Sequence, residues 1–125
     1  MDCTEIKNTA QNYLSAMTKF LRDLIKIPGE GCHEKEVIYR IEKEMRDVGF
    51  DQLEIDELGN ILGYMGHGQH IIAFDGHVDT VGIGELCNWK FDPYEGFENH
   101  EVIGGRGASD QLGGIVSAIY GAKIM

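Results

Sequence analysis

Paired cysteines are missing from this sequence. Cys3, Cys32 and Cys87 are odd in number and far apart, and no C-x-x-C pair occurs. That argues against a disulfide framework and a thiolate zinc site, and suits reduced thiols in a cytosol. Long apolar runs are missing too, since none approaches the roughly 20 residues of a membrane span. The opening "MDCTEIKNTA" has neither the basic n-region nor the apolar h-region of a signal peptide. Basic residues are scarce, 11 Lys and Arg against 21 Asp and Glu, for a formal net charge of −10. A surplus of that sign repels phosphate backbones and anionic headgroups. Neither nucleic acid nor membrane is therefore expected as a partner, and a cytoplasmic location is.

What is present fits one modest domain: 125 residues, 42% hydrophobic and 26% charged. Ile6, Ala10, Tyr13, Leu14, Met17, Leu21, Leu24 and Ile25 recur at helical spacing, predicting a helix from about Thr4 to Lys26. Pro28-Gly29 stops it. Val37, Ile38, Ile41, Met45 and Val48 predict a second helix from about His33 to Val48, with Gly49 as its cap. Short strand-like runs follow: "FDQLEID", "ILGYM" and "HIIAF", the last a candidate buried strand. From Asp75 to Gly107 the chain reads mostly as loop, with a short hairpin across "GFENHEVIG" tipped at Asn99-His100. Trp89, Phe91, Tyr94 and Phe97 favour an ordered loop, and a segment this long inside a compact domain is usually functional or disordered. A last helix begins near Leu112, and "YGAKIM" ends inside its pattern, which reads as an interrupted domain. The order of elements predicts an α/β sandwich, a mixed sheet flanked by helices.

Several motifs fail. "HEKEV" lacks the second histidine of H-E-x-x-H, leaving His33 a surface residue near a helix start. "GIGELC" has Cys87 where a dinucleotide loop needs glycine, and "GASDQ" has Gln111 where a nucleophile elbow needs one. His67, His70 and His100 read as solvated turn residues.

What remains is His77-x-Asp79 in "FDGHVDTVG" and Asp110 in "GGRGASDQLGG". Imidazole nitrogen and carboxylate oxygen are the donors zinc takes when thiolates are absent. A carboxylate can also bridge two cations, and a second carboxylate beside a ligand histidine fixes its tautomer. Both motifs lie at junctions of strand, loop and helix, where open α/β sheets bind ligands. The alternative is a pair of ordinary polar turns.

"DGHVDTV" followed by "GGRGASDQLGG" resembles the paired signatures of the M20 family of zinc metallopeptidases and deacylases, G-H-x-D and G-R-G-x-x-D-x-x-G-G. "IPGEGCHEKEV", "EIDELGNILGYMG" and "NWKFDPYEG" are similar in order, so the resemblance covers essentially the whole chain. The wording of "NWKFDPYEGFENHEVIGGRG" looks most like the selenium-metabolism-linked hydrolases, near the acetylornithine deacetylase and succinyl-diaminopimelate desuccinylase branch.

The resemblance implies that residues 1–125 form the N-terminal part of a metallohydrolase catalytic domain, without its dimerisation or lid domain. It implies a metal-dependent hydrolase of amide or peptide bonds, using two Zn²⁺ (or Co²⁺ or Mn²⁺) to activate a water. His77 would be a ligand of one metal, Asp110 the ligand bridging both, and Asp79 the carboxylate orienting His77. A non-proline cis peptide is implied between Asp110 and Gln111. The substrate would be an N-acyl amino acid or a peptide, and the complete protein has room for a homodimer. The family's glutamate pair, a further acidic ligand and a C-terminal histidine have no counterpart here. This chain alone is therefore expected to be inactive, and a non-catalytic scaffold module is the other reading.

Overall fold

The computed structural model describes residues 2–125. Helix α1 spans Cys3–Ile25 and starts at a reciprocal cap. The Asp2 carboxylate accepts from the backbone N–H groups of Thr4 and Glu5, and Glu5 accepts from the Asp2 N–H. Helix α2 spans Lys35–Val48 and closes on Gly49, whose φ of 98° is the left-handed cap expected of it. It starts two residues later than its periodicity predicts, because the His33 N–H is tied back to the Glu30 carbonyl in a turn. Helix α3 spans Gly113–Ile124.

The three helices pack on one another. Phe20, Leu24 and Ile25 of α1, Val37 and Ile41 of α2, and Val116, Ile119 and Tyr120 of α3 make the core. The buried stripe of α1 is turned from the predicted one. Phe20 is fully buried, whereas Leu14 is 63% exposed. Polar groups cross-brace the same helices. The Tyr120 hydroxyl donates to Glu44, Arg40 pairs with both Glu44 and Asp23, and its guanidinium lies 4.6 Å over the Phe20 ring. Burial first, and the bond to Glu44 second, hold the Tyr120 hydroxyl well above the ordinary phenol range.

The fold is α/β, but its strands form two separate antiparallel pairs rather than one mixed sheet. Strand β1 (Gln52–Ile55) pairs with β2 (Ile61–Tyr64), Gln52 opposite Tyr64 and Ile55 opposite Ile61. Strand β3 (Phe97–Glu98) pairs with β4 (Ile103–Gly104) across a turn capped by Asn99, whose Oδ1 accepts from the N–H groups of Glu101 and Val102. The expected buried strand at His70–Phe74 is a correction: Ile71, Ile72 and Phe74 are 92%, 81% and 75% exposed. A strand is a hydrogen-bonded ladder, and among the described residues no backbone hydrogen bond reaches residues 70–74. The apolar side chains are there and the ladder is not.

The long loop is ordered by its aromatics. Phe91 lies edge-on to both Trp89 and Phe97, with ring centroids 5.6 and 4.7 Å away, and the indole N–H donates to the Ile83 carbonyl.

Two turns depend on ionised aspartates. Asp56 accepts from Asn60 and Leu58 in the β1–β2 turn, and Asp92 from the N–H groups of Glu95 and Tyr94. These bonds favour the charged forms, so both carboxyls titrate below their ordinary value. A depressed folded-state value stabilises the turn above the unfolded value of about 3.9 and is lost as pH falls through the folded one. The amides of Leu58, Asn60, Tyr94 and Glu95 are expected to shift together only below about pH 4. Midpoints above that in an NMR titration would contradict the capping.

Candidate functional site

His77 lies near the start of the long loop, outside any helix or strand, and Asp110 in a wide turn over Ala108–Leu112 that feeds α3. Asp110 (φ −125°, ψ 95°) and Gln111 (φ −132°, ψ 36°) leave helical geometry there, and the peptide between them is cis. The turn throws the Asp110 carboxylate outward while the chain goes straight on into the helix. Gly76 makes the close approach feasible: a Cβ there would sit 2.5 Å from Gln111 Oε1 and 2.9 Å from Ile115 Cδ1.

The result is that two residues 33 positions apart meet. His77 Nε2 is 2.9 Å from Asp110 Oδ1. On the other side of the ring, Nδ1 is 3.1 Å from the Asp79 backbone carbonyl and 3.2 Å from its carboxylate. Asp79 therefore holds the ring twice, and the backbone half of that grip has no signature in a side-chain motif. Both ring nitrogens face acceptors, so the Asp79 carbonyl first and the Asp110 carboxylate second raise the His77 pKa. The three side chains are open to water, His77 at 43%, Asp79 at 52% and Asp110 at 88% exposure.

His33, His67, His70 and His100 are exposed and lie apart from this pair. The three cysteines are exposed and unpaired. Two residues given no role by the sequence reading, Thr80 and the arginine of the G-R-G signature, hold the site from beneath. Thr80 and Arg106 are buried at 6% and 3% exposure, the only buried polar side chains besides Glu44 among the described residues. For Thr80 the sequence carries no signal, since its burial is visible only in the fold. For Arg106 the available signal was its place between glycines.

The donor pair suits a metal of the zinc type in chemistry and spacing. Two donors on one tetrahedral zinc, each ~2.0–2.2 Å from it, lie roughly 3.3 Å apart. His77 and Asp110 would need to open by only a few tenths of an ångström, with Asp79 already holding the far ring nitrogen. The pair is half a set, however: among the described residues no group of three or more His, Cys, Asp or Glu side chains is arranged to hold a metal ion. No described helix is long and apolar enough to cross a membrane.

No protein-family model matches the chain. It is similar to curated proteins. It is 57% identical over 120 residues to a protein of Escherichia coli designated uncharacterized protein YgeY, covering 96% of this chain and 30% of that one. It is 29% identical over 104 residues to a probable succinyl-diaminopimelate desuccinylase of Staphylococcus epidermidis, and 28% to one of Staphylococcus aureus, each alignment covering 81% of this chain and 26% of the relative. The chain thus spans less than a third of the length of these relatives, and its similarity to the probable desuccinylases is distant but extends over most of its residues.

Proposed function

We propose that the chain contributes one half of the metal site of an M20-type hydrolase that cleaves amide bonds of N-acyl amino acids or peptides. The observation that carries this reading is the convergence of His77 Nε2 and Asp110 Oδ1 across 33 residues of sequence. The names of the distant relatives support a deacylase, and N-succinyl amino acids are the first substrate class to try. With a metal bound in place of the Nε2 proton, His77 would offer that nitrogen as a neutral donor, while Asp79 holds the opposite N–H and fixes the tautomer. Asp110, 88% exposed, would offer its carboxylate as the other donor. Zinc, or cobalt or manganese in its place, would supply Lewis acidity and lower the pKa of water there. The proton-accepting group and the remaining donors belong to residues other than these.

The 125-residue chain alone is expected to bind zinc weakly and to hydrolyse nothing measurably, because two donors leave a tetrahedral ion unsaturated. The decisive experiment replaces the matching 120 residues of the Escherichia coli relative with this chain. The chimera is expected to release amino acids from N-acyl substrates or dipeptides, and to stop when metal is chelated. Activity indifferent to chelation would sink the metal reading. A folded chimera inactive on the whole panel, beside an active parent, would favour the non-catalytic scaffold.

A further inference from the structure

Thr80 and Arg106 lie on the two loops that carry the candidate site, and both end on the same short piece of backbone between α1 and α2. Thr80 donates its N–H to the Gly29 carbonyl at 2.8 Å and its hydroxyl to the same oxygen at 3.1 Å. Arg106 donates Nη2 to the Ile27 carbonyl at 2.8 Å and its backbone N–H to the Pro93 carbonyl at 2.8 Å. Its guanidinium lies 5.0 Å over the Tyr94 ring. Thr80 follows His77 by three residues and Arg106 precedes Asp110 by four. The loops also touch directly: Gly107, at φ 74°, leaves the space that the Thr80 methyl fills, and a Cβ there would collide with it.

We propose that Thr80 and Arg106 are positioning residues that set the separation of His77 and Asp110 by docking both loops on the Ile27–Gly29 backbone. An exposed imidazole–carboxylate contact contributes too little to hold two long loops together. The anchors beneath it are buried, and two backbone carbonyls in one turn are a fixed reference for both. Packing alone does not account for Arg106. Its Nε and Nη1 are buried without a hydrogen-bond partner, a cost that an apolar side chain would avoid. What the guanidinium provides is reach across to the Ile27 carbonyl.

The functional meaning of this arrangement rests on the metal-site reading, but the geometry does not, and the test separates them. Thr80→Ala and Arg106→Met are compared with Thr80→Ser, which keeps both bonds to Gly29, in the metal-free 125-residue chain. One measurement is the His77–Asp110 contact, from crystal structures or from nuclear Overhauser effects between the ring and the Asp110 β protons. The other is zinc affinity at His77, from NMR titration. In the first two variants the contact is expected to open beyond hydrogen-bond reach, about 3.5 Å. Zinc affinity is expected to fall about 10-fold or more. Thr80→Ser is expected to restore both. Should either variant fail to fold, Thr80→Val, which removes only the hydroxyl, is expected to weaken zinc about twofold and loosen the contact. An unchanged contact in variants that are merely less heat-stable would overturn the proposal. A contact that opens with no effect on zinc would leave the positioning intact and contradict the metal reading instead.

Discussion

Asp110→Ala in the chimera is expected to lower metal-dependent amide hydrolysis by about 10²–10⁴-fold, the rate equivalent of several kcal/mol of lost charge stabilisation at the reacting carbonyl. The Asp110 side chain is 88% exposed and, among the described residues, its only hydrogen bond is to His77, so the melting temperature should barely move. Asp79→Asn is expected to cost less, about 10–100-fold, because the Asp79 backbone carbonyl still holds the ring when the carboxylate is gone. The order of the two effects is the informative part. If Asp79→Asn were the more damaging, its carboxylate would be acting on substrate or water rather than through His77. If chelator-sensitive turnover survived Asp110→Ala unchanged, Asp110 would not be a ligand at all.

Phe20→Ala is expected to be the most destabilising single truncation in the core, by about 3–5 kcal/mol. Phe20 is fully buried at the contact of the three helices, and its ring also carries the Arg40 guanidinium that pairs with Glu44 and Asp23. Truncation would leave a cavity and strip one face from a charge removed from water. A domain of this size has about 5–15 kcal/mol in total, so the urea midpoint should fall by a large fraction. A loss below about 1 kcal/mol would mean that Leu24 and Tyr120 close over the gap, and that the core is more pliable than its burial suggests.

Both helices that carry a clear 3.6-residue period were legible in the sequence, because their cues are local: spacing, Pro28, Gly49. The cap at Asp2 is equally local, since Asp2 and Glu5 have the spacing of a capping box. The turned stripe of α1 is different in kind. Leu14 and Phe20 are both apolar, and which of them is buried depends on where α3 packs, which no window on α1 contains. His70–Phe74 failed for a related reason, since strand propensity describes side chains while a strand requires a partner. At the site, residue types and spacing pointed to His77, Asp79 and Asp110, and the structure brings them together. What could not be read was the means: Gly76 beneath Gln111, the Asp79 carbonyl on the ring, and two loops tied to Ile27 and Gly29. Those are contacts between segments dozens of residues apart, and they involve backbone atoms that every sequence has.

The exposed apolar run at residues 71–74 also sets how this chain behaves at high concentration. Its attraction for another copy is short-ranged and is not screened by salt, whereas the net charge of −10 keeps copies apart over a distance that salt shortens. At 0.01 M ionic strength that repulsion extends about 30 Å, and at 0.15 M only about 8 Å. Colloidal stability is thus a contest between one sticky patch and a diffuse acidic cloud. Added salt, which rescues many proteins from precipitation, works against this one.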